Sequence, residues 1–259
     1  MTADLPLAAF ATAVRQIVLD AGDRIMEVYG SDFAVHAKAD RSPVTAADEA
    51  AEAYIVAELE RLSPQLPVVA EESVAKGRVP VVGSHPFWLV DPLDGTKEFV
   101  SRNGEFTVNV GLVVAGKPVL GAVYAPAVNR LFWTAGDVAW AEEGGAPKRK
   151  VTARVPAADG MVVVASRSHR DPDTDEYLAG IPVKSITSAG SSLKFCLVAA
   201  GEADLYPRFG TTNEWDTAAG HAVLSAAGGR VVTRDGADLA YAKPAFKNPG
   251  FIAKGVSGT

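Results

Sequence analysis

Trp88-Leu-Val-Asp-Pro-Leu-Asp-Gly-Thr96 is the stretch on which the fold turns. The run Phe87 to Val90 is short and apolar, as a buried strand is. It delivers two acids three residues apart, then a glycine and a threonine. Pro92 stiffens the turn and holds the Asp91 side chain at the strand end. Gly95 lets the backbone approach a ligand closely. Thr96 is placed to cap and open a helix whose free amides favour an anion. A plain Asp-Gly turn with a helix cap would explain Asp94, Gly95 and Thr96. It leaves Asp91 unexplained, because a carboxylate at the end of an apolar strand is costly without a counter-charge.

Upstream, Pro67 to Ala70 is a second short apolar run, and it ends in Glu71-Glu72-Ser73. Alone, those acids read equally well as a solvated loop. On a strand neighbouring Asp91 they become candidate ligands for a hard cation such as Mg²⁺, which takes carboxylate oxygens and completes its shell with water and phosphate. Downstream, Phe106 to Ala115, Pro118 to Tyr124, Leu131 to Thr134 and Val138 to Ala141 alternate with turns, which predicts an antiparallel meander.

Before the strands come two helices. Leu7, Phe10, Val14, Ile17, Ala21, Ile25 and Val28 recur at three- and four-residue steps and predict an amphipathic helix ending near Gly30. Ala46 to Leu62 repeats the pattern, with Thr45 as its cap. Thr45-Ala-Ala-Asp48 fits a capping box, which is one sufficient reason for Asp48. Gly144 to Pro156 is a Gly-, Pro- and Lys/Arg-rich break, with Lys148-Arg149-Lys150 expected in a solvated loop. After it the rhythm becomes strand then helix: Met161 to Ala165, Asp173 to Ala179, Val183 to Thr187, Ser191 to Ala200, Ala203 to Tyr206, Trp215 to Ala227, Arg230 to Thr233. The expectation is an α+β subdomain over 1–155 and an α/β subdomain over 156–259. The second contains Glu214-Trp-Asp-Thr217, where Asp216 in a first helical turn would also satisfy the helix dipole.

The chain has 259 residues, 48% of them hydrophobic and 22% charged, with a net charge of -6, so a disordered chain and a binder of polymeric nucleic acid are both disfavoured. Small anionic ligands remain open, since a few local cations or metal ions can reverse the field in a cleft. The single cysteine, Cys196, allows no internal disulfide and fits a reducing compartment. It is expected to be a packing residue. Leu5 to Val14 is too short to span a bilayer, which takes about 20 apolar residues, and Asp4 replaces the positive start of a signal peptide. A cytoplasmic location is expected, with peripheral membrane association and the oligomeric state left open.

Together, Glu71-Glu72, Asp91-Pro-Leu-Asp-Gly-Thr96 and Trp215-Asp216 resemble the inositol monophosphatase superfamily of Mg²⁺-dependent, lithium-sensitive phosphatases. Ser42-Pro-Val-Thr-Ala-Ala-Asp48, Trp88 to Val108, Ser166-Arg-Ser-His169, Gly190-Ser-Ser-Leu-Lys-Phe-Cys196 and Leu205-Tyr-Pro-Arg-Phe-Gly210 narrow the resemblance to its bacterial bisphosphate nucleotidases. Trp215-Asp-Thr-Ala-Ala-Gly-His221 and Asn248-Pro-Gly-Phe251 do the same. The resemblance implies a layered α/β/α/β/α sandwich. It implies one Mg²⁺ on Glu71, Asp91 and the Leu93 carbonyl, a second on Asp91, Asp94 and Asp216, and a third, weaker ion near Glu71. Thr96, hydrogen-bonded to Asp48, would orient or deprotonate the attacking water. The amides of Gly95 and Thr96 would hold the phosphate, beside Glu71, Leu93, Asp94 and Asp216. His169, Ser191, Lys194 and Arg208 would bind the rest of a small nucleotide bisphosphate, adenosine 3′,5′-bisphosphate or its sulfated form, in sulfur metabolism. Read without the resemblance, His169 is a loop histidine, Ser191 a helix cap and Lys194 a solvated side chain. The alternatives are an inositol- or sugar-phosphate phosphatase on the same frame, and an inactive nucleotide-binding protein.

Overall fold

A computed structural model describes residues 5–31, 35–37, 43–166 and 171–256 of the chain. Helix α1 (Leu7–Tyr29) buries Phe10, Val14, Ile17, Val18, Ala21 and Ile25 and stops at Gly30. A ribbon of β1 (Val35–Ala37) and β2 (Pro43–Thr45) leads into α2 (Ala46–Leu62). The strand β3 (Val68–Ala70) runs straight into α3 (Glu71–Ala75), and β4 (Phe87–Asp94) reaches α4 (Thr96–Val100) through Gly95 alone. Then come β5 (Thr107–Val114), β6 (Lys117–Ala125), β7 (Arg130–Ala135), β8 (Val138–Glu143) and β9 (Arg149–Val151). These strands form one seven-stranded sheet in the order β3-β4-β5-β6-β7-β8-β9. The first pair is parallel and every later one antiparallel, so the expected meander is present.

The rest of the chain supplies β10 (Met161–Ser166), α5 (Pro172–Ala179), β11 (Val183–Ala189), α6 (Leu193–Ala199), β12 (Leu205–Arg208) and β13 (Thr212–Asn213). It ends with α7 (Ala218–Ala226), β14 (Arg230–Thr233), β15 (Lys247–Asn248) and β16 (Phe251–Lys254). A five-stranded sheet runs in the order β11-β10-β12-β16-β14.

Three apolar cores stack these layers. Phe10, Ile55, Leu59, Trp88, Val110 and Leu112 join α1 and α2 to one face of the large sheet. Phe195, Val223 and Leu224 of α6 and α7 lie between the two sheets, against Phe87, Leu89 and Phe132 on one side and Tyr206 and Phe251 on the other. Leu178 of α5 covers the outer face of the small sheet on Val163, Leu205 and Ile252. The result is the α/β/α/β/α sandwich.

Several local expectations need correction. The strand expected over Phe87 to Val90 continues to Asp94. Its pairing shifts: Asp91 faces Asn109 and Asp94 faces Thr107, so three steps on β4 match two on β5. Pro92, with no N–H to give the ladder, sits in this bulge. Thr96 does not cap α4; Gly95 does, at φ 89°, ψ 45°, a left-handed conformation that suits glycine. Helix α6 begins at Leu193, after Ser191 at φ 47°. Asp216 lies before the cap of α7, Thr217, and not in its first turn. Arg149 and Lys150 stand on β9, and Arg149 pairs with Glu143 at 3.3 Å; the Lys148 ammonium lies 4.7 Å over the Trp140 ring. The Thr45 side chain and His169 lie outside the described residues.

Candidate active site

The site forms where elements of both sheets end. Strand β3 is locked to β4 through Val69–Leu89 and Ala70–Val90 pairs, so Glu71 emerges beside Asp91. Asp216 arrives from the turn before α7. Its Oδ2 accepts the Asn213 amide at 2.8 Å, and Asn248 Nδ2 ties that turn down by donating to the Asn213 carbonyl at 2.7 Å. Carboxylate oxygens of Glu71, Asp91 and Asp216 come within 4.8 Å of one another.

Such a cluster is electrostatically unfavourable on its own. Asp91 is 2% exposed; burial, then the charges of Glu71, Asp94, Asp216 and Asp48, push its carboxyl well above the ordinary range. Asp216 is raised likewise by burial, Asp94 and Glu71. Asp91 does stabilise its own turn, since Oδ1 accepts the Leu93 amide at 3.1 Å. The converging oxygens match the hard donors that Mg²⁺ takes, and a bound cation would relieve the repulsion.

Asp94 stands beside the triad with a different environment. Burial raises it to about 6, opposed by the Lys194 charge and by the Ser192 amide, which donates to Oδ2 at 2.6 Å. Ser192 Oγ donates to Asn109 Oδ1 at 2.5 Å and lies 3.0 Å from Thr107 Oγ1. Asp94 is therefore tied through Ser192 to β5 of the large sheet and to the start of α6. The backbone passes closely there: a Cβ on Gly190 would fall 2.4 Å from the Glu105 carbonyl oxygen.

The cationic residues face the acids. Lys194 is buried, donates to the Ala189 carbonyl at 3.3 Å and to the Ser191 carbonyl, and is lowered to about 8 by burial. It is not the solvated side chain that its sequence position alone allows. Arg208 on β12 is 9% exposed and donates to the Thr211 carbonyl at 3.4 Å. Ser191 Oγ is buried and has no hydrogen-bond partner among the described residues. It is not the helix cap; Ser192 holds that position. A cleft of about 330 Å³ brings together Glu71, Asp91, Leu93, Asp94, Gly95, Thr96, Ser191, Lys194, Arg208 and Asp216. Asp48 is buried behind it, near enough for its charge to act on Asp91.

Sequence reasoning missed Thr107, Asn109, Ser192 and Asn248 as supports of the site. Asn109 had a signal, a polar residue inside the apolar run Phe106 to Ala115. The lone cysteine is as expected: Cys196 is free and buried, and burial raises its thiol.

The chain belongs to the inositol monophosphatase family, whose profile matches residues 7–255. It is 52% identical over 241 residues to the 3′(2′),5′-bisphosphate nucleotidase CysQ of Escherichia coli (strain K12), covering 92% of this chain and 96% of that protein. The CysQ of Buchnera aphidicola subsp. Acyrthosiphon pisum is 44% identical, over 93% of this chain and 92% of the relative. Among solved structures, CysQ from Bacteroides thetaiotaomicron, described as a bacterial member of the inositol monophosphatase family, superposes with a TM-score of 0.81 at 38% identity. It covers 97% of this chain and 99% of its own. Inositol monophosphatase from Anabaena (Nostoc) sp. PCC 7120 gives 0.75 at 26%, covering 97% and 92%. No helix among the described residues is long and apolar enough to cross a membrane.

Proposed function

We propose that this chain is a Mg²⁺-dependent 3′(2′),5′-bisphosphate nucleotidase that converts adenosine 3′,5′-bisphosphate to AMP and phosphate, and also accepts the sulfated form. One observation carries the reading: a single cleft is lined both by a converging acid triad and by the buried cations Lys194 and Arg208. The triad suits a metal that faces one phosphate. The cations suit a second phosphate, which an inositol monophosphate does not have. The 52% identity to a protein of that name supports the same choice.

In this reading Glu71, Asp91 and the Leu93 carbonyl would hold one ion and Asp91, Asp94 and Asp216 a second, with a third near Glu71. Bound Mg²⁺ supplies charge neutralisation and a more acidic water. The chain's own groups do the rest. The Gly95 and Thr96 amides hold the scissile 3′-phosphate. Thr96 orients the water and relays its proton to the buried Asp48 carboxylate as the water oxygen attacks phosphorus in line. The bond from phosphorus to O3′ breaks, and the leaving O3′ takes a proton from solvent water. Arg208, Lys194, Ser191 and His169 grip the 5′-phosphate and nucleoside. The metal frame is thus drawn from residues 1–155, and 156–259 add Asp216 and the substrate contacts. The lone thiol accords with a cytoplasmic setting.

A substrate panel with Mg²⁺ tests this. Adenosine 3′,5′-bisphosphate should exceed inositol 1-phosphate and fructose 1,6-bisphosphate in kcat/KM. Preference for inositol 1-phosphate would overturn the assignment.

A further inference from the structure

Glu52 lies one helical turn beyond Asp48 on α2, and at 4% exposure it is buried. A buried carboxylate persists where its oxygens are hydrogen-bonded, and both are. Oε2 accepts the Glu72 amide at 2.7 Å, and Oε1 accepts the Ser73 hydroxyl at 2.7 Å. Arg78 donates in turn to Ser73 Oγ at 3.2 Å.

These partners make up the first turn of α3, a helix of five residues with no side-chain cap of its own at Ala70. The free amides of a helix start need acceptors, and negative charge is favoured there. Glu52 supplies both from another helix. The first residue of α3 is Glu71, a member of the acid triad. The chain is therefore pinned on both sides of Glu71: before it by the β3–β4 ladder, after it by Glu52. Glu52 does not line the catalytic cleft. It faces a separate hollow, beside Lys76 and Arg78.

We propose that Glu52 is a positioning residue for the metal centre, fixing the start of α3 so that Glu71 keeps its carboxylate converged with those of Asp91 and Asp216. This rests on the metal reading above. A residue that only stabilised α3 would leave the affinity of the folded protein for Mg²⁺ alone. A positioning residue sets that affinity, and supports of this kind typically cost about 10- to 100-fold in metal binding when removed.

The test titrates MgCl₂ into the metal-free protein without substrate, following the rise in Tm, which reports binding to the folded state. Glu52→Ala should raise the Mg²⁺ midpoint about tenfold or more. Glu52→Gln keeps an acceptor for the Glu72 amide and a donor toward Ser73 Oγ, and should move it by no more than about threefold. If Glu52→Ala does not fold, Ser73→Ala removes one of the two contacts and should raise the midpoint in the same direction. A lower metal-free Tm with an unchanged midpoint in the variant that folds would overturn the positioning role. A wild-type protein whose Tm ignores Mg²⁺ would overturn the metal reading, and this inference with it.

Discussion

Asp94 and Ser192 are 98 positions apart in the chain, yet the Ser192 amide donates to Asp94 Oδ2 at 2.6 Å. The contact joins the end of a strand in the large sheet to the cap of the helix that carries Lys194. Lys194 in turn opposes the upward push of burial on Asp94. The acid half of the cleft and its cationic half are thus set against each other at hydrogen-bond precision, and changes on either side can be read separately.

Asp91 sits deepest in the acid cluster. Its folded carboxyl is raised, so the metal-free folded state holds a proton that the unfolded chain gives up at lower pH. That contribution to stability is present at low pH and is lost as pH rises through the raised folded value. Asp91→Asn removes the titration and the repulsion together. In EDTA at pH 8 the variant should melt at or above the wild-type temperature, while Mg²⁺-dependent turnover is lost. Differential scanning calorimetry beside a phosphate-release assay checks both halves. Substantial turnover in the variant would remove Asp91 from the centre of the site.

Thr96 occupies the first position of α4, and Gly95 takes the cap. Its hydroxyl is thereby spared the capping task that the sequence suggests, and Thr96 lines the cleft. Thr96→Ala should lower kcat by about 10²- to 10⁴-fold, the usual range for positioned proton transfer, with KM little changed. Steady-state kinetics at saturating Mg²⁺ decides it; an unchanged kcat would leave Thr96 a plain helix residue.

His221 offers a pH test away from the metal ligands. Its Nδ1 lies 3.1 Å from the Tyr241 hydroxyl, which donates to Thr217 Oγ1 at 3.0 Å. With the Tyr241 hydrogen committed to Thr217, Nδ1 is the donor of this contact. Burial lowers the pKa of the ring to about 4 from an ordinary 6.5. Between those values the unfolded chain binds a proton that the folded chain refuses, so stability is full above pH 6.5 and falls as pH drops toward 4. The loss approaches about 3 kcal/mol at the acid end. His221→Asn keeps a polar atom near Tyr241 without the titration. Urea melts at pH 7 and pH 5 should show the wild type losing more stability than the variant. Comparing the two proteins cancels the opposite drift of the raised carboxylates. Equal losses would mean that His221 charges freely.

How far the sequence reached depends on the range of the forces involved. Both long helices were legible, because the spacing of Phe10, Val14, Ile17 and Ala21 is itself the cause of the buried face, and α2 runs from Ala46 to Leu62 as expected. The meander was legible for the same reason. The second sheet was harder. Strand β16 lies between β12 and β14, yet Phe251–Lys254 is four residues long and carries no period. The site divided the same way. Asp91 and Asp94 stood out because acids at the end of an apolar strand need a reason. Ser192 and Asn248 did not, since their roles exist only through partners on distant strands. The start of α6 was misplaced because Ser191 adopts φ 47°, a left-handed conformation that no apolar period signals.

On the proposed function, Arg208 is the residue that would separate a bisphosphate enzyme from a monophosphatase. It stands on β12 in the small sheet, largely buried, and lines the cleft that the acid triad also lines. If it grips the non-scissile 5′-phosphate, Arg208→Ala loses a charge-assisted contact worth about 1.5–3 kcal/mol. That equals a fall of roughly tenfold to a hundredfold in kcat/KM for adenosine 3′,5′-bisphosphate. A nucleoside 3′-monophosphate never makes the contact, so variant and wild type should hydrolyse it about equally. Four kcat/KM values measured under one set of Mg²⁺ conditions give a double difference, protein change against substrate change, from which general damage to the acid triad cancels. Equal losses on both substrates would make Arg208 a support for the 208–213 turn and not a reader of the second phosphate.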